Sequence, residues 1–199
     1  KPLVLNPWNV DALIELEKEY PNRVNTILQL RHHEAIIALK DKIGKGPPNK
    51  IYEIDLTYIT SRGKWYYTSW KGDESKSGGI SSNIGVHFFD MLQWIFGSIK
   101  DFSVHIKTPD TNAGTLKFKQ ANVNWYLSIN SEKLPPSAKE QGLPTFRSLK
   151  IAGEEIEFSK GFTDLHTVSY QKILEGKGYG LIDAKKSIEI VSEIRNKEL

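Results

Sequence analysis

The chain has 199 residues, enough to bury a proper core and, by length alone, one domain or one and a half. A formal net charge of +3, with lysines scattered among acids in runs such as LIELEKEY and GDESKS, describes a solvated surface and argues against a nucleic-acid groove. There is no cysteine, which excludes disulfides, thiolate metal sites and cysteine nucleophiles and is compatible with a reducing cytoplasm, and no apolar run approaches the roughly 20 residues of a membrane span.

In chain order, residues 9–20 read as a helix with Asn9 as its cap, stopped by Pro21. Residues 23–28 read as a strand and residues 33–43 as a second helix ending at Gly44 and Gly46. The run KIYEIDLTYIT alternates Ile51, Glu53 and Asp55 against Tyr52, Ile54, Leu56 and Tyr58, predicting a long strand over residues 50–60 with one buried face. Residues 61–79 are polar, aromatic and glycine-rich, long enough for a functional loop. An apolar helix follows over residues 80–96, closed by Gly97. Strands are then predicted at 99–107, 114–119, 121–130, 147–152 and 154–158, with a proline-bearing excursion at 131–144. Helices resume at 162–174 and 183–199.

Clustered strands bounded by helices define an α+β fold class: an open, predominantly antiparallel sheet with helices on one face. Its other face is expected to be covered or rich in exposed apolar groups, and so to serve a homo-oligomer. The opening helix–strand pair does not fit that sheet by pattern. It is expected to be the last αβ unit of a larger domain, which divides the chain into residues 1–30 and 31–199. The start on Lys1-Pro2, without Met and without the charged and apolar regions of a signal peptide, suggests a fragment or processed product.

The segment GGISSNIGVHFFD, from Gly78 to Asp90, carries the most chemistry. Asn83 and His87 stand at i and i+4 on one helix face, with Asp90 three residues on and Gly78-Gly79 just before. Two readings stay open: a proton-accepting imidazole beside an amide that fixes a substrate, or a core histidine satisfied by Asp90. Composition alone favours the second. Arg31, Arg62, Lys64 and Lys71 stand among Trp65, Tyr66, Tyr67 and Trp70, a mixture suited to a diphosphate-linked small molecule, against the plainer alternative of snorkelling surface side chains. GxGxxG and Walker loops are absent, and Gly176 to Gly180 (GKGYG) follows a helix, as a cap would. His32 and His33 are adjacent, point to different faces and lack a third ligand at metal spacing, so no metal is expected.

Taken together, these residues resemble the Gfo/Idh/MocA oxidoreductases. Lys1-Pro2 matches the end of that family's Glu-Lys-Pro motif, and Gly78 to His87 match GG-x-x-x-[D/N]-x-G-x-H. Within the family, LQLRHHEAI, ITSRGKWYYTSWKGDESKSGGISSNIGVHFFDML and FSKGFTDLHTVSY…GKGYG resemble the UDP-N-acetylglucosaminuronate (UDP-GlcNAcA) 3-dehydrogenases, the WlbA/WbpB group. The resemblance implies a C-terminal domain like that of glyceraldehyde-3-phosphate dehydrogenase. It implies oxidation of the sugar C3 hydroxyl to a ketone, with hydride passing to NAD, in bacterial surface-polysaccharide (O-antigen) synthesis in the cytoplasm. His87 would be the general base, Lys1 would hydrogen-bond the reacting oxygen, and Asn83 would position the substrate. Lys1 and Pro2 would adjoin the cofactor. Arg31, Arg62, Trp65, Tyr67 and Lys71 would serve the sugar nucleotide, with Phe162, His166 and Tyr179 as weaker lining candidates. Asn83 departs from the Asp found in many members, and an amide accepts no proton as a base. Other sugar or inositol dehydrogenases, or a non-catalytic carbohydrate-binding or oligomerisation module, are the alternatives.

Overall fold

The computed structural model describes residues 2–21, 23–156 and 164–199. Lys1 and Phe162 lie outside the described residues, as does part of the strand and helix expected around 154–174. Helix α1 spans Pro7–Glu17, and a 3-10 turn over Gln29–His32 leads into α2, Glu34–Gly44. Strand β1 (Tyr52–Thr60) is followed by two short helices, α3 (Lys64–Thr68) and α4 (Glu74–Ser77). A π-helical turn, Ser81–Gly85, runs directly into α5, Val86–Phe96. Then come β2 (Asp101–Lys107), β3 (Thr111–Lys117), β4 (Ala121–Ser128), α6 (Pro136–Glu140), β5 (Thr145–Ile151) and the short β6 (Glu154–Glu155). Helices α7 (Leu165–Leu174) and α8 (Leu181–Asn196) close the chain.

The strands form one sheet in the order β2-β3-β4-β1-β5-β6. Every pair is antiparallel except β1 with β4, which run parallel. Period-two alternation decides what each strand buries. Tyr52, Ile54 and Leu56 of β1 and Ala121, Val123, Trp125 and Leu127 of β4 all turn to the face carrying α5 and α8. There Phe89 meets the Trp125 ring edge-on at 5.3 Å, and Phe96 packs between Tyr52 and Phe118. Burying a side chain such as Phe89 or Leu127 contributes about 1.5–3 kcal/mol. Burial of this size holds α5, and with it His87, against the sheet. Val10 of α1 belongs to the same core, and Lys185 of α8 pairs with Asp11.

Three expectations change. Residues 23–28 form no strand: Thr26 alone pairs, in a bridge to Tyr179, because no edge of this sheet lies beside the segment and a strand exists only through its partner. The loop over residues 61–79 contains two short helices. The uncovered sheet face is polar rather than apolar, since an antiparallel face carrying its own polar pairs can stand in water. On it Asn122 donates to Glu53 at 2.7 Å, Asn124 donates to Asp55 at 2.9 Å, and Lys117 pairs with Asp101 at 3.0 Å. Only one end is covered. There the excursion after β4 brings Leu134 and Ala138 over Ile59, Tyr126 and Phe146.

Candidate active site

The glycine pair enters the π turn through left-handed backbone, Gly78 at φ 73° and Gly79 at φ 68°. A side chain at Gly78 would run into Ser82 and crowd Leu5, and one at Gly79 would meet Glu74. The glycines therefore serve a tight turn packed against the chain's own side chains. The turn that follows is wider than an α-helical one, a form common at functional sites. It rotates Asn83 and His87 into one cavity of about 190 Å³, shared with Gln29, Tyr58, Arg62 and Arg147.

A second depression adjoins the first through Arg62, Asn83 and Ile84 and adds Tyr66, Trp70 and Lys71. The two make one groove with cations along it and aromatic rings at one end. Lys71 lies within 6.0 Å of the Trp65 ring centroid and 5.8 Å of that of Trp70. Burial pushes the Tyr66 phenol up, with the Asn83 amide and Arg62 working the other way, which keeps its hydroxyl a donor at neutral pH. The Asn83 Nδ2 is buried and makes no well-formed hydrogen bond among the described residues, the Tyr66 phenol being the group its amide acts on. An unpaired buried donor costs free energy that a ligand acceptor would recover.

The expected residues separate on the structure. Asn83, His87, Arg62 and Lys71 line the groove. Trp65 is exposed outside it, and Tyr67 lines an adjoining depression that shares Tyr66 and Lys71 with the groove and adds Lys107 and Thr108. Arg31 lies elsewhere, in a structural ion pair. Its Nε and Nη2 donate to the two carboxylate oxygens of Asp90 at 3.1 and 2.8 Å, and Nη1 reaches Asp183 at 3.3 Å. The guanidinium also lies 4.7 Å from the centroid of the Tyr179 ring. A group so committed is not open to a substrate carboxylate. His166 is exposed at the start of α7, and Pro2 is half-buried near the chain's start. His33 caps α2, its Nδ1 accepting from the Ala35 N–H, which accounts for half of the histidine doublet. No cluster of ligands fit for a metal occurs among the described residues.

Three groove residues escape the sequence reading: Gln29, Tyr58 and Arg147. Arg147 leaves a trace. It shares a strand face with Leu149 and Ile151, so a cation stands where the alternation demands an apolar residue, and its register partner is Tyr58. Its guanidinium lies 5.4 Å from the Tyr58 ring centroid. Nothing in the local pattern marks Gln29.

Residues 40–141 match the oxidoreductase family, C-terminal alpha/beta domain, just over half of the chain. The chain belongs to that family. Over its whole length it is 48% identical, with a TM-score of 0.94, to the WlbA (WbpB) dehydrogenase from Thermus thermophilus solved with NAD and alpha-ketoglutarate. It is 47% identical, again with a TM-score of 0.94, to that dehydrogenase in complex with NAD and UDP-GlcNAcA. In both cases it covers 64% of the longer chain. It is also 25% identical over 99 residues, 49% of this chain and 23% of the relative, to the putative oxidoreductase YteT of Bacillus subtilis (strain 168). The chain thus spans less than two thirds of the length of these relatives.

Proposed function

We propose that this chain is the substrate-binding part of an NAD-dependent dehydrogenase that oxidises the C3 hydroxyl of UDP-GlcNAcA, in bacterial surface-polysaccharide synthesis. The observation that carries the reading is the shared cavity of Asn83 and His87, flanked by Arg62 and Arg147 and continuous with Tyr66, Trp70 and Lys71. The likeness to a dehydrogenase solved with NAD and UDP-GlcNAcA supports it.

Oxidising a secondary alcohol removes a hydride from carbon and a proton from oxygen. NAD, when bound, supplies the hydride acceptor. The described residues do not fit its dinucleotide, because no GxGxxG loop follows a strand and Gly176 at φ 72° closes α7. This part of the proposal therefore places the cofactor cradle outside residues 1–199, with Lys1 and Pro2 beside it. The chain's own residues handle the sugar. His87 takes the hydroxyl proton as general base, Asn83 donates from Nδ2 to a sugar oxygen, and Lys1 hydrogen-bonds the reacting oxygen. Arg62, Arg147 and Lys71 neutralise the carboxylate and diphosphate, and Tyr66 and Trp70 offer faces to uracil or sugar. The same reading takes the enzyme as a cytoplasmic homo-oligomer associating through the uncovered sheet face, whose polar rows would pair across the interface in place of an apolar patch.

The test uses the protein carrying this chain together with its dinucleotide-binding region, following NADH formation from UDP-GlcNAcA. His87→Asn is expected to lower kcat by about 10²–10⁴-fold, the usual worth of a positioned base. Wild-type kcat in that variant, or no NADH from UDP-GlcNAcA in single-turnover measurement, would overturn the reading.

A further inference from the structure

The expected partner of His87 is otherwise engaged. Asp90 stands one helical turn beyond His87, but both of its oxygens accept from Arg31. Instead the side-chain amide of Gln29 lies 3.2 Å from the imidazole Nδ1. Gln29 and Arg31 belong to the same 3-10 turn, and His87 and Asp90 to the same helix α5. The bidentate Arg31–Asp90 pair thus fixes the register in which Gln29 reaches His87. From these contacts we infer that Gln29 is a positioning residue, resting on the reading of His87 as base: it holds the ring and, being an amide, leaves it neutral.

The chemistry decides what the amide must do. For Nε2 to take a proton from a sugar hydroxyl, the ring proton must sit on Nδ1, and Nδ1–H needs an acceptor. Gln29 provides one through Oε1, a half-turn of the amide from the arrangement in which its Nε2 faces the ring. A carboxylate at this place would also accept the proton, yet would raise the imidazole's affinity for a second proton and so narrow the pH range in which the base is free. The other charged and titratable groups at the cavity are Arg62 from the loop, Arg147 from β5 and Tyr58 from β1. Asp90 of α5 and Asp183 of α8 are turned to Arg31. No carboxylate among the described residues that line this cavity competes with Gln29 for the ring.

Two near-isosteric substitutions in the complete dehydrogenase test the inference. Gln29→Glu is expected to move the acid limb of the kcat profile upward by about one pH unit or more, the effect of an opposite charge in contact. Gln29→Met is expected to lower kcat about 10-fold or more, with KM within about twofold of wild type, as loss of an orienting partner does. A readout independent of turnover comes from ring nitrogen shifts: wild-type His87 should carry its neutral-state proton on Nδ1, and Gln29→Glu should raise its titration midpoint. A Gln29→Glu profile superimposed on wild type, or a neutral ring protonated on Nε2 instead, overturns the inference while leaving His87 as base. His87→Asn with wild-type turnover would remove the underlying reading itself.

Discussion

At 8% and 2% exposure, Arg31 and Asp90 have both left water, and each oxygen of Asp90 accepts from a different guanidinium nitrogen. Such a pair gains little over apolar residues of the same shape, but losing one member strands a buried charge. Asp90→Ala is therefore expected to cost about 3–5 kcal/mol, seen as a lowered urea midpoint at unchanged slope. The joint replacement Arg31→Met with Asp90→Leu should recover much of that loss. A single Asp90→Ala that unfolds with the wild type would show that water or another partner rescues Arg31. At this scale the sequence is legible only where spacing is local. Asn83 and His87, four apart on one continuous helical run, share a cavity as expected. Arg31 and Asp90 are 59 residues apart, and no local pattern announces that an arginine among aromatics will be consumed by an acid on another helix.

The 3-10 turn Gln29–His32 is the element on which these contacts converge, and it carries its own pH sensitivity. His32 stacks on Tyr179 with ring centroids 5.4 Å apart. Burial, then Lys172 and Arg31, hold its imidazole below the ordinary 6.5. The unfolded chain therefore binds this proton more readily than the folded one. The contribution is fully present above pH 6.5 and is lost as pH falls through the depressed folded value. Denaturant unfolding on both sides of that pH should show the loss, and His32→Gln should flatten it. Elements were legible where alternation or helical spacing was strong: β1, α2 and α8 fall within a few residues of their sequence readings. Residues 23–28 were not, because β-branched composition states a preference and pairing decides the outcome. The π turn also hid, since Ile80 and Ile84 stand at helical spacing across it and read as the first turn of the helix that follows.

Over the whole molecule, the open sheet with helices on one face follows from counting strands and their buried residues, but the parallel β1–β4 pair does not. Sequence order brings β4 beside β1 only through two intervening strands, and that crossover is what places α5 under the sheet. The consequence is a division of labour that can be measured. The groove residues lie between Gln29 and Arg147, so on the proposed reading these residues carry the contacts to the sugar nucleotide. The dinucleotide loop is not in that sequence. Titration of residues 1–199 should then show UDP-GlcNAcA binding that weakens as salt rises, because Arg62, Arg147 and Lys71 meet charged groups near solvent. NAD should give no comparable signal. UDP-N-acetylglucosamine, which keeps the diphosphate but lacks the carboxylate, should bind more weakly by about 10-fold or more, the worth of one charge-assisted contact of roughly 1.5–3 kcal/mol. Equal affinity for the sugar nucleotides with and without the carboxylate would mean that the arginines serve the diphosphate alone.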